Sequence, residues 1–282
     1  MLSFAIFYWK GTILLTNRER ESVVTNLSRR GDIPRDTFRE RCISKKVNET
    51  KAATGGQTLL AYKFRSADHF DYALDIIINN RLRCSDWRQL NDPMEGAFGY
   101  SYRTTDERDY SEQVAEIIRY KKRLLVCSLS STFDCHLLWA HYASGFRGLA
   151  VEVELPAESR FVRVVNYRGV FAHASFDQPV NAEELAGQIL SSKYNEWAYE
   201  KEVRILQTER WYQLSTPVKR VITGHRMDPA VFEALRIICE KRNITLNRTG
   251  IGDEGIDADY VPPLSRASRR RPQKQRSRDA NA

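Results

Sequence analysis

The chain has no Cys-x-x-Cys pair, no Walker-type phosphate loop, no internal repeat and no apolar run long enough to cross a membrane. Its five cysteines, Cys42, Cys84, Cys127, Cys135 and Cys239, are odd in number. Reduced, mostly buried thiols in a cytoplasmic protein are therefore expected. Cys135-His136 is followed by His141. A five-residue step turns two histidines to different faces of a helix, so no metal is expected. Residues 2–15 are apolar apart from Ser3, Lys10, Gly11 and Thr12. That run is too short to span a bilayer as a helix. It has neither a positive lead nor a small-residue cleavage site, so an upstream extension from a misassigned start is expected rather than a secretory signal.

The net charge of +8 is unevenly spread. Residues 265–282 hold seven Arg or Lys against one Asp, and residues 1–58 hold eleven against six Asp or Glu, which leaves 59–264 at −3. A basic groove for nucleic acid inside the body is thus disfavoured. The tail Ser-Arg-Ala-Ser-Arg-Arg-Arg-Pro-Gln-Lys-Gln-Arg reads as a disordered, solubilising end, with weak contact to nucleic acid or anionic lipid as the alternative. We expect a loosely packed extension at 1–58, one domain at 59–264 and the basic tail at 265–282.

Within the body, Leu59–Phe64 reads as a strand. Phe70, Ala73, Leu74, Ile77 and Ile78 then mark a helix with Ser66 as its N-cap. Strands are predicted at Leu82–Trp87, Leu124–Ser130, Gly148–Leu155, Phe161–Tyr167, Val203–Leu206, Val218–Ile222 and Ile244–Leu246. Helices are predicted around Val114–Ile118, at 134–143, at Ala182–Trp197, and from Asp228-Pro229 to Arg242. Strands and helices mix without βαβ repetition, which gives an α+β domain of two small packed sheets with flanking helices.

Tyr199-Glu200-Lys201-Glu202-Val203-Arg204-Ile205-Leu206 carries the most chemistry. In an extended segment, i and i+2 share a side, so Glu200 and Glu202 would share one face at the mouth of a strand. Trp197 and Tyr199 could wall such a site. Paired carboxylates beside aromatic rings suit a reaction that builds positive charge on a sugar. The plainer alternative is an edge-strand charge pair facing Lys and Arg neighbours.

Four segments resemble the bacterial family known as domain of unknown function 2971. They are Tyr62-Lys63-Phe64-Arg65-Ser66, Asn91-Asp92-Pro93-Met94-Glu95, Leu137-Leu138-Trp139-Ala140-His141-Tyr142 with Gly148, and Trp197 through Ile205. The order of elements also resembles the Arg–Ser–Glu type of ADP-ribosyltransferase. The serine segment departs from that pattern as Ser-Leu-Ser-Ser-Thr, and the span from Gly148 to the glutamates is long. This second resemblance implies that NAD or a related nucleotide is cleaved between nicotinamide and ribose. It implies Glu202 as the carboxylate that stabilises the ribosyl cation and Glu200 as the group that orients or deprotonates the acceptor. It further implies Arg65 and Lys63 on the phosphates, Ser128 or Ser130 as a brace, and Tyr62, Trp139, Tyr142 or Trp197 against nicotinamide. His141 would be a general base. A bacterial toxin or phage-defence effector is the matching role. Plainer alternatives are an Arg65–Asp68 ion pair, core tryptophans, a hydrogen-bonded structural His141 and a simple turn at Asn91-Asp92-Pro93. At the level of function the alternatives are a non-catalytic nucleotide- or partner-binding module and a nucleic-acid-associated defence protein.

Overall fold

The computed structural model describes residues 2–8, 11–14, 57–103, 110–169, 171–176, 181–252 and 255–258. Its strands are β1 (Leu2–Tyr8), β2 (Gly11–Leu14), β3 (Thr58–Arg65), β4 (Arg81–Arg83), β5 (Ser85–Asp86), β6 (Phe98–Arg103), β7 (Leu125–Ser130), β8 (Leu149–Pro156) and β9 (Val162–Val164). They continue with β10 (Asn166–Arg168), β11 (Ala172–Ser175), β12 (Ser192–Tyr194), β13 (Glu202–Gln207), β14 (Trp211–Gln213), β15 (Arg220–Thr223), β16 (Thr245–Arg248), β17 (Gly250–Gly252) and β18 (Gly255–Asp257). The helices are α1 (Phe70–Asn79), α2 (Ser111–Arg123), α3 (His136–Tyr142), α4 (Ala182–Ile189) and α5 (Pro229–Lys241).

The class is α+β, but the sheets differ from the two small ones expected. One eight-stranded sheet runs β16-β15-β8-β3-β7-β13-β9, with β5 also on β7. A four-stranded sheet, β11-β6-β1-β2, and three two-stranded ribbons accompany it. The large sheet is nonetheless nearly divided. Strand β3 matches β8 at every residue from Thr58 to Arg65, yet meets β7 only at Tyr62 opposite Ser130. Beyond that bridge β3 leaves β7, and β5 takes the same edge of β7 through Ser85 opposite Val126.

Alternation along the strands sorts the core onto two faces. Ala61, Leu129, Val151, Val153, Val203 and Ile205 pack with Ile76 and Ile77 of α1 and Leu235 of α5. Tyr62, Phe64, Ala150 and Ile222 pack on the other face with Leu138 and Trp139 of α3. Burying each such Leu or Ile stabilises the fold by about 1.5–3 kcal/mol. A third cluster joins Val114 and Ile117 of α2 to Phe98, Ala172, Ala174 and Ile189 beside the smaller sheet. Asp228 caps α5 as expected, whereas Ser66 caps a 3-10 turn over Ala67–His69 and α1 follows at Phe70 without a side-chain cap. Ser66 Oγ accepts from the Asp68 N–H, and Asp228 Oδ1 accepts from the N–H groups of Ala230 and Val231 ahead of α5.

Two glycines permit close chain crossings at one end of the sheet. A Cβ on Gly148 would stand 2.1 Å from the Arg65 carbonyl oxygen, and one on Gly224 would stand 2.0 Å from that of Phe146. Only glycine fits such approaches. The spacing Gly250-x-Gly252-x-x-Gly255 matches a dinucleotide-loop pattern, but it lies between the antiparallel strands β17 and β18. Among the described residues no helix N-terminus meets it, so it lacks the context that pattern needs.

The helix expected over 182–197 stops at Ile189. Ser191 Oγ donates to the Gly187 carbonyl and Ser192 Oγ to that of Gln188, which caps the last turn. Strand β12 then pairs in parallel with β10. At the N-terminus, β1 and β2 join the smaller sheet through β6, whereas residues 15–56 and the tail at 265–282 lie outside the described residues. Among the described residues no helix is long and apolar enough to cross a membrane.

Candidate functional site

Strand β13 is interior, flanked by β7 and β9, and all six of its residues are buried. The alternative of an edge-strand charge pair is therefore corrected, since β13 has a partner on each side. Glu200 ends a 3-10 turn spanning Asn195–Glu200, and Lys201 follows in the left-handed region at φ 44°. For a residue with a Cβ that conformation costs roughly 1–2 kcal/mol. Neighbouring hydrogen bonds hold it. Ser130 Oγ donates to the Glu200 carbonyl at 2.6 Å, and the Ser131 N–H donates to the Lys201 carbonyl at 2.9 Å. The turn breaks the extended alternation, so Glu200 and Glu202 do not meet as strand neighbours. They meet on a shared cation.

That cation is Lys193 of β12. Its Nζ lies 2.6 Å from Glu200 Oε2, 3.3 Å from Glu202 Oε2 and 3.7 Å from Glu95 Oε1. Arg204, two residues along β13, donates from Nε to Glu202 Oε1 at 2.8 Å and from Nη2 to Glu202 Oε2 at 2.9 Å. It also grips both oxygens of Glu95 and the Leu190 carbonyl. Three carboxylates thus share two cations, and all five residues are buried, with Arg204 at 0% exposure.

The excess carboxylate shapes the electrostatics. Burial alone raises the Glu202 pKa, but the Arg204 charge and hydrogen bonds, with Lys193, outweigh it and bring it down to about 2. For Glu95 burial wins over Arg204 and the pKa is raised, with Glu202 repelling it as well. The two carboxylates move in opposite directions because Glu202 draws on both cations at hydrogen-bonding range, whereas Glu95 has only Arg204 there. Burial works against the Lys193 ammonium, yet Glu202 and Glu200 raise its pKa.

A path leads outward from this network. Glu200 Oε1 accepts from the Tyr142 hydroxyl at 2.5 Å, and exposed Asn91 donates to that hydroxyl at 2.6 Å. Burial and Glu200 raise the Tyr142 pKa. Half-buried Trp197 receives Lys193 Nζ over its ring at 4.7 Å, and Tyr199 lies 6.1 Å from Trp197 between centroids. Burial and the charge of Glu200 push the Tyr199 phenol up to about 12. Tyr142 thus touches Glu200 directly, and Trp197 and Tyr199 lie beside its partner Lys193 and its own chain segment. Beside Lys193, a cleft bordered by Asp92, Met94, Phe171 and Tyr194 has room for about one water molecule.

The other predicted residues fall elsewhere. Trp139 is core, at 0% exposure, stacked on Phe146 and edge-on to Phe64. His141 is exposed on α3. Tyr62 is buried against Phe133, and Glu152 stands opposite it across the β3–β8 pair. The Arg65–Asp68 ion pair does not form among the described residues. Asp68 instead accepts from the hydroxyls of Ser66 and Ser144. Alternation turns Lys63 and Arg65 toward α1, away from the face of Glu202, and Arg65 lies about 10 Å along β3 from Tyr62. Lys63 reaches the parted edge of β7, where its Nζ donates to the Ser128 carbonyl at 2.5 Å. Arg65 stands 5.6 Å from the Tyr72 ring centroid, and its buried Nε has no hydrogen-bond partner. Ser128 Oγ approaches Glu202 closely enough to lower its pKa slightly, but makes no hydrogen bond of normal geometry. Glu200 and Glu202 therefore gather with Tyr142, Trp197 and Ser130, whereas Arg65 stands apart from them.

Sequence reasoning missed Lys193, assigned to a helix, gave no role to Arg204, and placed Glu95 only on a loop that could border a pocket, although both Arg204 and Glu95 lay in the segments singled out. The signal was Arg204 two residues after Glu202, an opposite charge on the same strand face. Nothing local marked Lys193, whose position depends on the pairing of β10 with β12. No protein-family model, curated protein or solved structure matches the chain.

Proposed function

We propose that the corner formed by Glu200, Tyr142, Trp197 and Tyr199 binds a nucleotide of the NAD class and cleaves its nicotinamide–ribose bond, in the manner of an ADP-ribosyltransferase. The observation that carries this reading is the placement of Glu200. One of its carboxylate oxygens is fixed on buried Lys193, and the other is held by the phenol of half-buried Tyr142. A preoriented carboxylate is what an oxocarbenium-like transition state requires, since it needs no reorganisation as charge develops. Nicotinamide leaves with the bonding electron pair, the ribose carbon becomes cationic, and water or an acceptor hydroxyl or amine adds as it loses a proton. Trp197 and Tyr199 offer flat faces for an aromatic base. Glu202 and Arg204 act as positioning residues, because they touch Lys193 and Glu95 rather than the corner. The setting that fits is a bacterial toxin or phage-defence effector.

The test is release of nicotinamide from NAD by the purified chain. Glu200→Gln should slow it by on the order of 10²–10³-fold while the protein stays folded. Undiminished release by folded Glu200→Gln would remove Glu200 from the chemistry. The second reading is a non-catalytic nucleotide- or partner-binding module. It is favoured by the mutual satisfaction of the five buried charges, which a ligand need not complete. NAD binding by calorimetry with no nicotinamide release would establish it.

A further inference from the structure

The pairing of β5 with β7 has a consequence at its open end. Ser85 opposes Val126 and Asp86 opposes Leu125 in antiparallel register. Extending that register by one residue sets Cys84 directly opposite Cys127. The Cys84 N–H donates to the Arg210 carbonyl at 2.8 Å, so the Cys84 backbone turns away from β7. On β7 the odd-numbered backbone groups turn toward β13, as shown by the Ser131 N–H bonded to the Lys201 carbonyl. Cys84 and Cys127 therefore form a non-hydrogen-bonded pair, for which Cα atoms stand about 4.5 Å apart. That spacing lies within the range a disulfide bridges, about 4.4–6.8 Å.

The side chains around the pair are suited to thiol chemistry. The two thiols interact across the pair, and this lowers the pKa of Cys127 and raises that of Cys84. Lys63, fixed on the Ser128 carbonyl, and Arg65 favour the Cys127 thiolate, against burial, which also pulls the Lys63 pKa down. Gln207 Nε2 donates to Cys84 Sγ at 3.7 Å. A buried structural cysteine of ordinary kind is available for comparison. Cys239 is equally buried, at 1% exposure, but burial raises its pKa to about 11.

We propose that Cys84 and Cys127 are a redox-active dithiol that a peroxide converts to a disulfide across β5 and β7, beside Lys63. The Cys127 thiolate attacks a peroxide oxygen, the O–O bond breaks, and hydroxide leaves to become water. Cys84 sulfur then attacks Cys127 Sγ of the sulfenic acid, the S–O bond breaks and a second water leaves. Two thiols and one hydrogen peroxide give one disulfide and two waters. The bridge would pin β5 to β7 at the place where β3 parts from β7. The proposal does not depend on the nucleotide reading, since it concerns the opposite side of β7 from Glu202.

The test uses the full native chain treated with hydrogen peroxide, alkylated after unfolding, digested and weighed by mass spectrometry. A linked peptide pair containing Cys84 and Cys127, two hydrogens lighter than its reduced parts, should form while Cys239 stays alkylatable. The melting temperature should rise on oxidation and fall back with dithiothreitol. In Cys84→Ser, Cys127 should instead stop at sulfenic acid, detectable with dimedone. Both cysteines remaining fully alkylatable while Cys135 or Cys239 oxidises would overturn the proposal. So would linkage of Cys127 to a cysteine other than Cys84.

Discussion

The two sides of strand β7 handle buried charge in opposite ways. Toward β13, Glu95, Lys193, Glu200, Glu202 and Arg204 form a closed set in which each charged group meets an opposite one. Toward β3 and β5, Lys63, Arg65 and Arg83 gather around a backbone carbonyl and the ring of Tyr72, with Arg83 Nη1 donating to its hydroxyl at 2.7 Å. Among the described residues no carboxylate is hydrogen-bonded to these three. A closed network resists loss of any member, because each removal strands a buried partner. An open set of cations has spare donors, the Arg65 Nε among them, and depends little on any single one.

The largest effect should come from breaking the closed side. Arg204→Ala leaves Glu202 and Glu95 without their main counterion, and a loss of about 3–5 kcal/mol in unfolding free energy is expected. Urea denaturation measures it, and a loss below about 1 kcal/mol would mean that the charges are not coupled as described.

Acid probes the same network by titration. The Glu202 pKa falls from 4.5 to about 2 on folding. A depressed carboxylate contributes stability that is complete above about pH 4.5 and is lost as pH falls toward about 2. That contribution is at most about 3 kcal/mol. Glu95 acts in the opposite sense, since its pKa is raised and its share is lost as pH rises. Urea midpoints measured from about pH 6 down to about pH 3 should fall more steeply for the wild type than for Glu202→Gln. Parallel curves would show that Glu202 keeps an ordinary pKa.

On the open side, packing rather than charge should dominate. Gly148→Ala drives a Cβ against the Arg65 carbonyl at 2.1 Å, with Ala143 backbone atoms at 3.0 and 3.1 Å. A loss of about 1–3 kcal/mol is expected by thermal melting. The smallest effect should follow Arg83→Met, which removes a half-exposed cation bonded to the Tyr72 hydroxyl and, among the described residues, to no carboxylate. A change within about 1 kcal/mol in either direction fits the comparison. A loss equal to that of Arg204→Ala would erase the contrast between the two sides of β7.

Local signals in the sequence located most of the body. The 3.6-residue period of α1, the Asp228 cap and the alternation of β8 are each carried by a few adjacent side chains, and each produced the element expected. The glutamates were also found from sequence, because paired acids entering a β-branched run stand out locally. Their environment was not legible. An acid-rich stretch ordinarily faces water, and only the cover provided by β12, Glu95 and the turn after Asp92 turns Glu200 and Glu202 inward.

The sequence by itself determined the class of fold, the capped start of α5 and the identity of the carboxylates, since these depend on period, capping chemistry and charge within a few residues. Tertiary structure decided which cations those carboxylates meet. Glu95 reaches Arg204 across 109 positions, and Lys193 is placed by a parallel pairing with β10. It likewise decided that Lys63 and Arg65 lie on the opposite face of the sheet from Glu202, because a single bridge between Tyr62 and Ser130 fixes the register of β3 on β7 before they part. Pairing register is set by contacts distant in the chain, and a period-2 alternation assigns faces only once that register is known.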